Sequence, residues 1–218
     1  MHDLLQDPRQ KLRLVTFQSS EALKDLINKG YLECNEKYVD LKKRASTYTW
    51  VIEKMNAQIK APAGTGNNTA VRYPLWCWVK CYNNICPPKH KGEPVEGFDV
   101  KITFSKARSD VFITDFRRYS FMLNNTYIPD SLADKERFDK KMAEHTLSEV
   151  HQEIRNSFDK CITIDSDILQ GCVWRINLNE VEKIEFLNDK SYRYGSLNYK
   201  RSNGKRINWR EAFYKTLR

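Results

Sequence analysis

Two segments in the middle of the chain shape the interpretation of the rest. Residues 73–82 are YPLWCWVKCY, and residues 115–129 are DFRRYSFMLNNTYIP. The first segment places large apolar side chains on both sides of a period-two alternation, which predicts a strand. The second begins with Asp115, a residue type that caps helices, and its helix has to end before Pro129. The centre of the chain is therefore expected to contain both a strand and a capped helix.

The other elements are predicted from hydrophobic periodicity and from capping residues. The predicted strands cover residues 12–19, 98–104, 111–114, 172–178 and 181–187, with a candidate strand at 192–199. The predicted helices cover residues 20–29, 38–59 and 134–160 and a last stretch from about 208. Strands and helices alternate without a regular βαβ rhythm, which favours an α+β fold over a doubly wound parallel sheet. We expect a single domain over residues 1–218, with a mixed or antiparallel sheet flanked by several amphipathic helices.

Composition restricts the class of protein. A chain of 218 residues with 40% hydrophobic residues can bury a full core. No apolar run approaches the length that crosses a bilayer, and residues 1–11 lack the apolar stretch of a secretion signal. A cytoplasmic protein without a membrane partner is expected, and its six cysteines are then expected to be reduced thiols.

Positive charge is concentrated at the end of the chain. The net charge is +9, and the segment 190–218 contains nine of the 37 basic residues but one of the 28 acidic residues. Its net charge is therefore +8. Aromatic residues are interleaved with the basic ones, a mixture that holds nucleic acid in other proteins. The candidate nucleic-acid contacts are Arg193, Lys200, Arg201, Lys205 and Arg206. A solvated basic edge is the alternative interpretation.

A cluster of Cys77, Cys81, Cys86 and His90 has the residue types of a zinc site. In an extended strand, however, Cys77 and Cys81 lie roughly 13 Å apart at about 3.3 Å per residue. Two sulfur ligands of one zinc ion each lie only about 2.3 Å from the metal, so both cannot bind it. We therefore predict structural thiols and no metal site.

The paired tryptophans and the late glutamates are the other candidates. Trp76 and Trp78 point to the same face of their strand, where they either fill a core against a helix or stack a base or a nicotinamide ring. Glu182 and Glu185 lie on or beside the strand predicted at 181–187. Solvated acids are the alternative for the glutamates.

Four short patterns carry a resemblance to a known family. They are LVTFQS at 14–19, YPLWCW at 73–78, DFxxYxxxLN at 115–124 and YIP at 127–129. Together they resemble a bacterial family of uncharacterised domains, over about residues 12–187. The resemblance does not extend clearly to the basic segment, and it implies no settled activity.

A second resemblance concerns residues 14–32, a strand, turn and helix that end in Gly30-Tyr31-Leu32. This unit looks like the opening of ADP-ribosyltransferase folds, which implies NAD as a candidate substrate. By that resemblance Thr16 or Gln18 stands where those enzymes have a first-strand His or Arg and would contact a ribose, and Arg13 lies at the start of the strand. The implied roles of the others are stacking for Trp76 or Trp78 and a ribose contact for Glu182 or Glu185. Asp115, Tyr119 and Asn124 are expected to support this cleft, and a helix cap and a core contact are the alternatives for Asp115 and Tyr119.

Three functions are open at this point. The leading hypothesis is an ADP-ribosyltransferase-like domain that binds NAD or another nucleotide and, if it is an enzyme, transfers a glycosyl group. The second is a non-enzymatic nucleic-acid-binding module that uses the basic segment. The third is an interaction protein of a toxin or defence system. Whether the two indoles line a cleft or a core distinguishes the first hypothesis from a purely structural role.

Overall fold

The structure, a computed structural model, describes residues 6–39, 41–59, 73–81, 100–186 and 196–197. Its strands are β1 (Lys11–Gln18), β2 (Tyr31–Leu32), β3 (Leu75–Cys81), β4 (Val100–Ala107), β5 (Phe112–Asp115), β6 (Ile168–Val173), β7 (Ile176–Asn177), β8 (Val181–Phe186) and β9 (Ser196–Leu197). Its α-helices are α1 (Ser20–Lys29), α2 (Leu41–Gln58), α3 (Phe116–Leu123), α4 (Leu132–Glu144) and α5 (Leu147–Ser157).

The strands form one large antiparallel sheet and one small one. The large sheet has the strand order β5-β6-β3-β1-β4-β8-β9, and each neighbouring pair is antiparallel. Strands β2 and β7 pair separately. The α+β class and the antiparallel sheet with flanking helices are therefore confirmed. None of the helices in the described ranges is long and apolar enough to cross a membrane.

Helix α1 covers one face of the large sheet. Ser19 accepts a hydrogen bond from the backbone N–H of Ala22 at the N-terminus, and Gly30 ends the helix with a left-handed φ of 82°. Glycine adopts this conformation without the steric penalty that other residues pay. Leu23 and Leu26 are fully buried in a core with the inward side chains of β1, β3, β4 and β8.

Helices α2 to α5 cover the opposite face, at the end of the sheet formed by β5, β6 and β3. Their buried side chains form a second core, which includes Trp50, Met55, Phe138 and Ile154. The sheet therefore lies between α1 on one face and four helices on part of the other.

The helix predicted at residues 134–160 is wrong as a single element. The structure has two helices there, because His145 is extended, with φ −128° and ψ 155°, and Thr146 begins a new helix. The carboxylate of Glu149 accepts hydrogen bonds from the backbone N–H of Thr146 at 2.7 Å and from its hydroxyl at 2.8 Å. The side chain of Leu147, which continued the apolar stripe in the sequence, is 55% exposed.

Two predicted boundaries also differ from the structure. The strand predicted at 172–178 is divided, because β6 ends at Val173 and β7 leaves the large sheet to pair with β2. The helix predicted at 38–59 is confirmed as α2 but begins at Leu41. The last predicted helix, from about 208, lies outside the described residues.

Candidate functional site

The carboxylate of Glu182 is held by side chains from two other strands. Arg13 Nε on β1 donates a hydrogen bond to Glu182 Oε2 at 2.8 Å. The hydroxyl of Ser105, on β4 between them, donates to Glu182 Oε1. The side chains of Arg13 and Glu182 remain 51% and 39% exposed, so a ligand can reach this carboxylate.

The register of the strands brings these three residues together. Arg13 lies directly opposite Ser105 in the β1–β4 ladder. Between β4 and β8 the register shifts, so that Thr103 pairs with Lys183 but Phe104 pairs with Val181. Such a bulge gives one strand an extra residue and re-aims its side chains. It turns Glu182 towards Ser105 and Arg13.

The base of β8 is fixed just before this bulge. Lys106 Nζ donates to both carboxylate oxygens of Glu180 at 2.8 Å. Glu180 Oε2 also accepts a hydrogen bond of 2.8 Å from the backbone N–H of Asn177. Because the side chain of Lys106 is only 9% exposed, this ion pair anchors the start of β8 within the fold.

Glu185 lies on the same side of the sheet and has two lysine partners. Its Oε2 lies 3.3 Å from Lys101 Nζ, and its Oε1 lies 2.6 Å from Lys183 Nζ. Burial raises the pKa of Glu185, but the ammonium groups of Lys183 and Lys101 outweigh this effect and hold that pKa below its usual value. Glu185 is therefore ionised at neutral pH.

These residues define what we call the charged face. It consists of Arg13, Lys101, Ser105, Glu182, Lys183 and Glu185, which lie on the side of β1, β4 and β8 opposite α1. Between its two clusters lie Val15 and Thr103, which are 0% and 3% exposed. Glu182 and Glu185 were predicted from the sequence, whereas Ser105, Lys101 and Lys183 were not. The alternation of Lys101, Thr103 and Ser105 with the buried Ile102 and Phe104 was the signal that could have identified this polar side of β4.

Trp76 and Trp78 pack against helix α3. The ring centroids of Trp76 and Tyr119 are 4.8 Å apart, and those of Trp78 and Phe116 are also 4.8 Å apart. Both indoles are half-buried. The structure therefore places a helix against them, and Trp78 lies opposite Val15 of the neighbouring strand β1.

Asp115 and Asn124 lie at the two ends of helix α3, and Tyr119 packs the helix on the sheet through Trp76. Asp115 is 5% exposed and caps the helix by accepting hydrogen bonds from the backbone N–H groups of Arg117 and Arg118. The side-chain amide of Asn124 donates a hydrogen bond of 2.8 Å to the carbonyl of Ser120 at the other end. These contacts position the helix against which both indoles pack.

Thr16 and Gln18 lie on the other face of the sheet. Thr16 is opposite Ile102, which belongs to the core beneath α1. Its hydroxyl donates to the backbone carbonyl of Trp76 at 2.7 Å and accepts from Gln18 Nε2 at 2.8 Å. The described residues therefore do not form the expected single cleft, because these two side chains and the two indoles are on opposite faces.

Cys77, Cys161 and Cys172 are buried thiols, whereas Cys34 is half-buried. Burial raises the pKa of Cys161 to about 12, and burial also raises the pKa values of Cys77 and Cys172. Thiolates, not thiols, bind metals. Within the described ranges no group of three or more His, Cys, Asp or Glu residues is arranged to hold a metal ion. Cys86 and His90 lie outside those ranges, as do Arg193, Lys200, Arg201, Lys205 and Arg206.

The family of the chain follows from a comparison with family models. The model of a domain of unknown function, DUF3841, matches residues 13–182. The chain belongs to the DUF3841 family. The family resemblance noted in the sequence is thereby confirmed, whereas no similarity to ADP-ribosyltransferases was found. The DUF3841 match includes Arg13, Ser105 and Glu182 but not the basic segment. No curated protein and no solved structure matches the chain.

Proposed function

We propose that this DUF3841 domain binds a nucleotide of the NAD type on its charged face and acts on it as ADP-ribosyltransferases do. The observation that carries the proposal is the carboxylate of Glu182, which Arg13 and Ser105 hold in one orientation while leaving it 39% exposed. Strand β1 supplies Arg13, strand β4 supplies Ser105 and strand β8 supplies Glu182.

Glu182 has the chemistry that glycosyl transfer from NAD requires. When the bond between nicotinamide and the ribose C1′ breaks, its electron pair leaves with the nicotinamide nitrogen, and positive charge develops on the ribose. A preorganised carboxylate beside that ribose stabilises this charge and accepts a hydrogen bond from a ribose hydroxyl. Water then bonds to C1′ and releases a proton, so that NAD and water yield ADP-ribose, nicotinamide and a proton.

The other candidate residues take different roles in this proposal, according to where they lie relative to Glu182. In the proposal, Arg13 orients Glu182 through the hydrogen bond that its Nε donates to that carboxylate. Trp78, on the strand next to Arg13, is the aromatic side chain proposed for stacking, and Asp115, Tyr119 and Asn124 support it through α3. The proposal does not use Thr16 and Gln18, because their side chains lie on the opposite face.

Glu182→Gln tests the proposal. Wild-type protein should bind NAD in isothermal titration calorimetry and release nicotinamide, measured by chromatography. The variant should bind NAD roughly tenfold more weakly, because a charge-assisted hydrogen bond becomes a neutral one. Nicotinamide release should fall by about 100-fold, as after loss of one group that stabilises transition-state charge.

Glu33→Gln is the matched control. Glu33 also pairs with an arginine, since its Oε1 lies 2.8 Å from Arg175 Nη2, and its side chain is 33% exposed. This ion pair lies beside the small sheet, away from the charged face, so the control should bind NAD as the wild type does. The proposal is wrong if the wild type neither binds NAD nor releases nicotinamide, or if Glu182→Gln behaves like Glu33→Gln.

A second candidate function rests on charge alone. The segment 190–218 has a net charge of +8, which favours a polyanion such as nucleic acid. If it binds DNA or RNA, the affinity should fall steeply with salt, and replacing Lys200, Arg201, Lys205 and Arg206 by alanine should weaken binding and reduce the salt dependence. Fluorescence anisotropy with a labelled oligonucleotide measures both effects. Binding that is absent at low salt contradicts this candidate.

A further inference from the structure

Lys101, Lys183 and Glu185 form the second charged cluster on the charged face. One carboxylate lies between two ammonium groups, at 3.3 Å from Lys101 Nζ and 2.6 Å from Lys183 Nζ. The cluster therefore has a net charge of +1. Each ammonium group has three N–H donors, and one carboxylate cannot use all of them.

The cluster is half-buried, which is unusual for lysine. The side chains of Lys101, Lys183 and Glu185 are 23%, 27% and 25% exposed. Partly removing charges from water costs free energy that their mutual attraction has to offset. Among the residues that the structure describes, Glu185 is the one anion paired with these two cations, so their charge is incompletely compensated there. A second anion placed over them would complete the pairing.

The cluster lies within reach of a ligand bound at Glu182. Lys101 and Ser105 are four residues apart on the same side of β4, a separation of roughly 13 Å at about 3.3 Å per residue. A nucleotide that carries a diphosphate between two ribose units extends beyond the length of a single nucleoside. It can therefore contact Glu182 with one ribose and direct its phosphates towards the lysines.

We propose that Lys101 and Lys183 form a subsite for the diphosphate of the bound nucleotide, with Glu185 holding the two ammonium groups in place in the free protein. The ligand phosphates take over the contacts of the Glu185 carboxylate, which moves aside. Glu185 is then a competitor of the ligand and not a ribose contact. This inference rests on the proposed function for its choice of a diphosphate.

Glu185→Gln is the most informative variant, because a structural role and a competing role predict opposite results. The substitution keeps the size of the side chain and removes its negative charge. Binding of pyrophosphate and of ADP, measured by calorimetry at low salt, should become severalfold tighter, and binding of adenosine should not change. Weaker or unchanged binding of pyrophosphate to a folded variant overturns the subsite.

Lys101→Met and Lys183→Met test the cations themselves. Each substitution should weaken the binding of pyrophosphate and of ADP by roughly tenfold, which corresponds to the loss of one charge-assisted hydrogen bond. The binding of adenosine should not change. Lys135→Met is the control, since Lys135 pairs with Asp139 on the exposed side of α4, and each of their side chains is 57% exposed. If Lys135→Met weakens pyrophosphate binding as much as Lys101→Met and Lys183→Met do, the subsite is overturned. Thermal unfolding identifies any variant that does not fold. If a lysine variant does not fold, the pyrophosphate binding of Glu185→Gln decides whether the subsite exists.

The two proposals fail in distinguishable ways. If NAD binding depends on Glu182 but no lysine variant or Glu185→Gln alters pyrophosphate binding, the subsite is wrong and the proposed function stands. If pyrophosphate binding follows Lys101, Lys183 and Glu185 but NAD is neither bound nor cleaved, the subsite stands and the proposed function is wrong. If Glu185→Gln abolishes nicotinamide release while Glu182→Gln does not, both assignments are wrong.

Discussion

The indole of Trp76 and the phenol ring of Tyr119 lie with their centroids 4.8 Å apart and their planes inclined at 48°. This contact joins strand β3 to helix α3, and the contact between Trp78 and Phe116 repeats it one turn earlier in the helix. Tilted aromatic pairs contribute more than the burial of their surface alone. The two indoles therefore attach the helix to the sheet, whatever else they contact.

Trp76→Ala should reduce the free energy of unfolding by about 3 kcal/mol, because it removes a large half-buried ring and leaves a cavity beside Tyr119. Trp76→Phe should cost less, since it keeps an aromatic partner. Phe121→Ala is the control, because that ring is 42% exposed on the same helix and its loss should change stability by no more than about 0.5 kcal/mol. Urea denaturation measures all three. Equal costs for Trp76→Ala and Phe121→Ala would show that the aromatic contact does not hold α3.

Gly171 should not tolerate alanine. A Cβ atom at this position would lie 2.9 Å from Val111 Cγ1, 3.0 Å from Cys77 Sγ and 3.0 Å from Val79 Cγ2. Overpacking of this kind costs about 1–3 kcal/mol of stability. Urea denaturation of Gly171→Ala should show this loss.

Val111→Ala provides the internal test of this explanation. It removes the nearest atom, so the double variant with Gly171→Ala should be more stable than the sum of the two single effects predicts. Strict additivity would show that the clash with Val111 is not the cause.

Much of the secondary structure could be predicted because its signals are local. Ser19 and Gly30 mark the ends of α1, and the alternation in residues 73–82 marks β3. The break at His145 and Thr146 was missed because apolar residues recur at helical spacing on both sides of it. Thr146 and Glu149 have the spacing of a capping box, which marks the start of a helix and was the local signal for this break.

The candidate site was predicted less completely because it depends on strand pairing. Glu182 could be named from its strand, but its partner Arg13 is 169 positions away. Their contact requires that β4 lies between β1 and β8, and it also requires the bulge in β8, which no residue type in the sequence indicates. Strand pairing also decides which side chains of two strands lie on the same side of a sheet. Because the sequence does not show this pairing, Thr16 was expected beside the indoles.

Acid should destabilise the protein partly through Asp134. The backbone N–H of Asp130 and the side chains of Arg137, Tyr127 and Lys160 hold the pKa of Asp134 well below its usual value, although burial opposes them. Because the folded pKa is lower than the unfolded value of about 3.9, the ionised carboxylate stabilises the fold above that pH. This contribution is lost as the pH falls through the folded pKa.

Asp134→Asn should therefore be less stable than the wild type at pH 7, and this difference should shrink as the pH is lowered below about 4. Urea denaturation at a series of pH values measures it. Asp139→Asn, on the exposed side of the same helix, is the control and should follow the wild type closely. A wild type and an Asp134→Asn variant that lose stability in parallel below this pH would contradict the assignment.

The ion pair between Lys106 and Glu180 should respond asymmetrically to the loss of either partner. Lys106 is 9% exposed and Glu180 is 23% exposed, as side chains. Glu180→Gln leaves a buried ammonium group without its counter-ion, whereas Lys106→Met leaves a carboxylate that is nearer to water and still bonded to the N–H of Asn177.

Removing one partner of a buried ion pair costs up to about 3–5 kcal/mol of stability. Because Glu180 is partly exposed, we expect Glu180→Gln to cost about 2–3 kcal/mol. Lys106→Met should cost clearly less, and the double variant should be more stable than Glu180→Gln alone. If Lys106→Met is the more damaging change, the pair stabilises β8 through its lysine and not by compensating a buried charge.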